Sequence, residues 1–118
     1  MAGEKNFENR LKRWLDAQGV WHVKFFANRN TRAGVPDILA CINGRFVGIE
    51  LKGPNGKPSP LQVYHCGKIT ESGGIAVIVW PDDFAQFKRL VSRLKEKGGN
   101  CDVQDLVFEG RYLHPMPA

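Results

Sequence analysis

Asn43-Gly44 stands between two apolar stretches, 37–42 and 45–51, and constrains the fold of this chain more than any other pair of residues. Asn-Gly is the dipeptide that best tolerates the positive φ angles of a two-residue type I′ hairpin turn. With those two residues as the loop, Ile42 faces Arg45 and Cys41 faces Phe46, and counting outward brings Asp37 directly opposite Glu50. Side chains alternate along a strand. Ile38, Ala40, Ile42, Val47, Ile49 and Leu51 therefore share one face, apolar enough to be core, and Asp37, Glu50 and Lys52 share the other. Directly opposed side chains have Cβ atoms about 4.5–5.5 Å apart, and like charges held there are destabilising unless something neutralises them. A divalent cation would do so. Two carboxylates with the backbone carbonyl of Leu51 and several waters form an oxygen-rich set suited to Mg²⁺ or Mn²⁺ and less suited to zinc. Lys52 would add a fixed positive charge that orients a nucleophile or stabilises a transition state. On spacing alone an equal alternative stands beside this, in which Glu50 and Lys52 are an exposed pair and Asp37 merely begins a strand.

The flanking segments supply the rest of the fold. Phe7, Leu11, Trp14 and Leu15 make a stripe of helical period over 4–18, stopped by Gly19. Residues 20–26 read as a strand, and 27–36 as a polar, basic loop ending in Pro36. After a Pro/Gly loop, Ser59 is placed to cap a helix whose first residue is Pro60 and which Gly73-Gly74 ends. The continuous apolar run 75–80 reads as a buried strand, and Asp82 is placed to cap a last helix carrying Phe84, Phe87, Leu90, Val91 and Leu94 on one stripe. The expected order is αβββαβα, an α/β fold. Weak strand character around 103–108 is all that marks 98–118.

At 118 residues the chain is expected to form one domain. No apolar run approaches the roughly 20 residues needed to span a bilayer. The N-terminus lacks an apolar signal core, and Cys41, Cys66 and Cys101 are too few and too scattered for a disulfide framework or a CxxC zinc site. A reducing, intracellular setting fits these features. The net charge of +5 favours a polyanionic partner without specifying one. His22, His65 and His114 have no metal-binding spacing, and Lys88, Arg89, Arg93, Lys95 and Lys97 read as the wet side of the last helix. Trp14, Trp21 and Trp80 read as core or subunit interface rather than base-stacking platforms.

Gly34-Val35-Pro36-Asp37, Gly44-Arg45, Ile49-Glu50-Leu51-Lys52, Gly56-Lys57, Ser59, Gln62 and Gly73-Gly74 before Val77-Ile78-Val79 form an ordered set. Together they resemble the VRR-NUC domain of the PD-(D/E)xK nuclease superfamily, from Glu8 to about Trp80. The resemblance implies a restriction-endonuclease-like αβββαβ core, a mixed sheet flanked by helices, across residues 1–118 with 98–118 as an extension. It implies hydrolysis of DNA phosphodiesters by water over one or two Mg²⁺ or Mn²⁺ ions, leaving a 5′-phosphate. It also implies that Glu8, rather than Glu4, adds a metal-site carboxylate and that Gln62 lines the active site. Without it, Glu8 is an ordinary residue near a helix start and Gln62 an ordinary helix former. Stand-alone members in phage and bacteria are similar to junction resolvases and act as homodimers on branched DNA such as Holliday junctions, in the bacterial cytoplasm, so a repair function and a homodimer are expected here.

Arg29, Asn30 and Arg32, just before Pro36-Asp37, and Lys57 are the residues placed to grip phosphates beside the scissile bond. The competing expectation is a non-catalytic DNA-binding module that keeps the nuclease fold. Against it, a decayed site has no physical reason to retain opposed carboxylates. A restriction-type or RNA-directed nuclease could use the same metal site, though 118 residues leave little room for a separate sequence reader.

Overall fold

A computed structural model describes residues 2–26 and 33–97. Arg29, Asn30, Arg32 and the strand expected at 103–108 lie outside the described residues. The elements run α1 (Ala2–Ala17), β1 (Trp21–Lys24), β2 (Ile38–Ile42), β3 (Arg45–Leu51), α2 (Pro60–Glu71), β4 (Ile75–Val79) and α3 (Phe84–Lys97). This is the expected order, and it builds an α/β fold on a mixed four-stranded sheet ordered β1-β2-β3-β4. The first three strands are antiparallel and β4 runs parallel to β3.

The β2–β3 hairpin takes the register that its turn dictates. Asn43 and Gly44 have φ of 50° and 86°, and the ladder runs from Ile42↔Arg45 to Ile38↔Ile49. Asn43 also ties the turn to the end of α3, its side-chain amide donating to the carbonyls of Leu94 and Lys95 at 3.2 and 3.0 Å. Ile38, Ala40, Ile42, Val47, Ile49 and Leu51 are all buried, and the parallel partners of the last three, Ile75, Val77 and Val79, extend the same face. The apolar stripes of α1 (Phe7, Leu11, Leu15) and α3 (Phe87, Leu90, Val91, Leu94) are buried in the same core. The two helices meet through edge-on aromatic contacts, Phe7 to Phe84 at 5.5 Å and Trp14 to Phe87 at 6.1 Å. Each such side chain removed from water contributes roughly 1.5–3 kcal/mol, so these stripes hold both helices to the sheet.

On the opposite face, α2 crosses β3 and β4 closely. A Cβ on Gly48 would lie 2.9 Å from Pro36 Cγ and 3.0 Å from Ile69 Cδ1, so the helix can approach the sheet only where β3 carries a glycine. The entry to α3 differs from the expectation of an Asp82 cap. Pro81–Asp83 form a 3₁₀ turn that runs directly into the helix, and Asp83 accepts from the Trp80 amide at 3.3 Å. Pro81 stands at the first position of this turn, so the turn begins after Trp80, two residues before an Asp82 cap would place it.

Candidate active site

The hairpin register carries one step past Ile38↔Ile49 to Asp37 opposite Glu50, at the end of the sheet where β3 leaves toward α2. Asp37 is fixed from both sides. Its backbone carbonyl accepts from Phe25 at 2.8 Å, and its Oδ2 accepts from the Leu51 amide at 2.9 Å. The loop leading to it is set by Gly34, whose φ of 86° is left-handed and whose missing Cβ would lie 2.7 Å from the carbonyl of Leu61 at the start of α2. The Gly-Val-Pro-Asp sequence thus seats the β2 entrance against the helix.

Glu50 lies beneath α2 and is 2% exposed. Its Oε2 accepts from Gln62 Nε2 at 2.9 Å and has Lys52 Nζ at 3.6 Å. Gln62 acquires this role from helix capping. Ser59 Oγ accepts from the Gln62 amide at 3.1 Å while Gln62 Oε1 accepts from the Ser59 amide at 2.8 Å, a reciprocal capping box. That box leaves Nε2 free to point at Glu50. Burial, and then the neighbouring charge of Asp37, push the Glu50 carboxyl up to about 8, and Lys52 does not bring it back to the usual range. Near neutrality Glu50 therefore keeps its proton.

Glu8 comes to the edge of this group from α1. It is buried, yet burial's penalty on its charge is outweighed by Lys24 and Lys12, which hold it down at about 2. Lys24 Nζ lies 2.9 Å from Glu8 Oε1 and 3.8 Å from Asp37 Oδ1, bridging the two carboxylates, while Lys12 and Lys5 reach Glu8 Oε2 at 3.0 and 3.5 Å. The fold thus unites Asp37, Glu50, Lys52 and Gln62, and leaves Glu8 joined to them through Lys24. Sequence reasoning assigned no role to Lys24. Its signal lies in pairing: Lys24 stands across from Ile38, in a row that is otherwise core. Lys57 is exposed, on the loop that Trp80 anchors by donating from Nε1 to the Gly56 carbonyl at 2.8 Å.

Among the described residues no group of three or more His, Cys, Asp or Glu side chains is placed to hold a metal ion. The donor set nonetheless suits a hard cation. Two carboxyls held together, one kept protonated by burial and by its neighbour in spite of Lys52, are the oxygen ligands that Mg²⁺ or Mn²⁺ takes alongside waters and phosphate once that proton leaves. No described helix is long and apolar enough to cross a membrane.

No family model matches the sequence, and no curated protein matches it. A solved structure described as a VRR_NUC domain does match, with a TM-score of 0.58 and 26% identity over 80% of this chain and 95% of that one. The matched fold, together with Pro36-Asp37 and Glu50-Leu51-Lys52 brought to one end of the β2–β3 hairpin, makes this chain a nuclease-fold domain similar to a VRR-NUC domain.

Proposed function

We propose that residues 1–118 form one metal-dependent endonuclease domain that hydrolyses DNA phosphodiesters, acting as a homodimer on branched DNA such as Holliday junctions. The observation that carries this reading is the Asp37–Glu50 pair. A carboxyl 2% exposed and pushed up to about 8 by burial and its neighbour is a costly arrangement for a merely structural residue, and a group so perturbed is a candidate for chemistry.

In this reading Asp37, Glu50 and the Leu51 carbonyl hold Mg²⁺ or Mn²⁺, with Glu8 as a further carboxylate. When bound, the cation polarises the scissile phosphoryl group and lowers the pKa of an attacking water. Lys52 sets a positive charge beside the developing phosphoryl charge and orients the nucleophile. Gln62 keeps Glu50 aimed, because its own amide is committed through the capping box. Lys57, and Arg29, Asn30 and Arg32 ahead of Pro36 in the sequence, grip the DNA backbone beside the cut.

An exposed apolar surface supports the homodimer. Trp21, Cys41 and Phe46 stand in one cross-strand row on the part of the sheet that α2 leaves open, with Trp21 62% and Phe46 45% exposed. Two copies joined there would present paired sites to two strands.

The test is cleavage of end-labelled four-way junction, flap, duplex and single-stranded DNA with Mg²⁺, Mn²⁺ or EDTA, for wild type, Asp37→Ala and Lys52→Ala. Metal-dependent cuts in paired positions at the junction, lost in both variants while DNA binding persists, are expected. Binding without cutting by the wild type would favour the non-catalytic module, and cutting by both variants would remove the mechanism.

A further inference from the structure

Lys24 faces the wrong way for an ordinary surface lysine. It pairs with Ile38, which in turn pairs with Ile49, and both isoleucines are fully buried. Its side chain is 21% exposed and crosses the end of the sheet to place Nζ 2.9 Å from Glu8 and 3.8 Å from Asp37. Glu8 also has Lys12 at 3.0 Å and Lys5 at 3.5 Å, so Lys24 is one of three cations on it. On Asp37 the ammonium of Lys24 lies on the side away from the Leu51 amide, on Oδ1 rather than Oδ2. The ammonium thus stands where a metal ion shared by the carboxylates would put its charge.

We propose that Lys24 is a built-in competitor of the metal, an ammonium that holds Glu8 and Asp37 together when no divalent cation is bound and must be displaced from them when one binds. The inference rests on the metal-site reading above. A Mg²⁺-sized ion binds carboxylate oxygen at about 2.0–2.1 Å. On Asp37 Oδ1 it would therefore come within about 6 Å of the observed ammonium, where charges of like sign repel. The looser of the two contacts, 3.8 Å to Asp37, is the one that gives way first, and the long lysine stem lets Nζ turn out toward water or a substrate phosphate. Lys24 therefore sets the affinity of the site for metal, trading tight binding for a site that stays folded and charge-balanced without it.

The measurement is Mn²⁺ binding to the whole chain without DNA, read from the loss of the free-ion paramagnetic resonance signal. Lys24→Gln keeps a hydrogen-bond donor and removes the charge, and it is expected to bind Mn²⁺ at least about tenfold more tightly than wild type. Lys24→Arg keeps the charge and is expected to stay near wild type. Lys12→Gln, whose lysine pairs with Glu8, is expected to tighten binding far less. Lys24→Met is a second neutral variant should the glutamine fail to fold. Equal Mn²⁺ affinity in wild type and the neutral variants would overturn the role of Lys24, as would equal tightening by arginine. Wild type that binds Mn²⁺ no better than Asp37→Ala would instead sink the metal-site reading, and this inference with it.

Discussion

Replacing Glu50 by glutamine is expected to make the metal-free protein more stable at neutral and alkaline pH, and to do so increasingly as pH rises. In the folded chain this carboxyl keeps its proton up to about 8, whereas its ordinary value is 4.5. Below 4.5 both states hold the proton and Glu50 exerts no pH-dependent effect. Between 4.5 and about 8 the unfolded chain releases the proton while the folded chain keeps it, so stability falls as pH rises through that window, and above it the loss is complete. At 1.36 kcal/mol per pH unit the loss is about 3 kcal/mol at pH 7 and about 5 kcal/mol at pH 9. Solvent screening removes little of this, because the residue is 2% exposed. Glu50→Gln has no proton to lose, can still accept from Gln62, and can donate to Asp37. Urea unfolding in EDTA should show the two proteins nearly equal at pH 4.5 and separated by about 3 kcal/mol at pH 7. Saturating Mg²⁺ should narrow the gap from the wild-type side, by about 2.7 kcal/mol at a hundredfold excess over Kd. A constant difference between the two proteins from pH 4.5 to 9 would show that Glu50 does not hold its proton, and the electrostatic reading of the site would be wrong.

Two further substitutions probe how the site is positioned. Gly34→Ala would place a methyl group 2.7 Å from the Leu61 backbone at a left-handed φ of 86°. The main chain cannot swing aside as a flexible side chain does, so a loss of roughly 1–3 kcal/mol in urea unfolding is expected, with cleavage reduced further because the displaced loop carries Asp37; unchanged stability would mean that the loop is not seated on α2. Gln62→Ala removes both its half of the capping box and the bond to Glu50, for a loss of about 1–2 kcal/mol. Gln62→Glu should restore the cap but set another carboxylate beside Glu50, so its stability should decline more steeply than wild type between pH 5 and 9. Parallel pH profiles would show that Gln62 does not face Glu50.

The legible parts of this molecule were those decided by short-range chemistry. Asn43-Gly44 selects its turn with little help from the rest of the chain, and a two-residue turn fixes the register of everything beyond it, so Asp37 opposite Glu50 could be counted from the sequence. Ser59-Pro60 announces the start of α2 in the same local way. The stripes on α1 and α3 could be read because their period is intrinsic to a helix. The 3₁₀ entry at Pro81–Asp83 was missed because Asp82 and Asp83 both fit a helix start, and the choice depends on which carboxylate can reach the Trp80 amide. Alternation put Glu50 on the face away from the main core, but alternation cannot say that a later helix covers that face. Its burial comes from α2, brought down by the absence of a side chain at Gly48. Lys24 was illegible for a related reason: the face it occupies is set by pairing with Ile38, and nothing in 21–24 reveals the partner.

The site and the fold are consequently in tension at one place and mutually supporting at another. Glu50 is pressed into an apolar layer against a second carboxyl, which weakens the metal-free chain at neutral pH. Gln62 turns the same layer to advantage. The capping bonds that begin α2 fix its side chain, and the remaining amide hydrogens then hold Glu50 in one orientation without a further loss of side-chain freedom. A cation entering between Asp37 and Glu50 would thus meet ligands already aimed, displacing the Glu50 proton below about pH 8 and relieving carboxylate repulsion above it. Lys24 works against that affinity from the other side of Asp37. If both effects operate, the metal-free protein should be least stable where Glu50 is ionised, and the gain on adding Mg²⁺ should be largest at that same pH and larger still in Lys24→Gln.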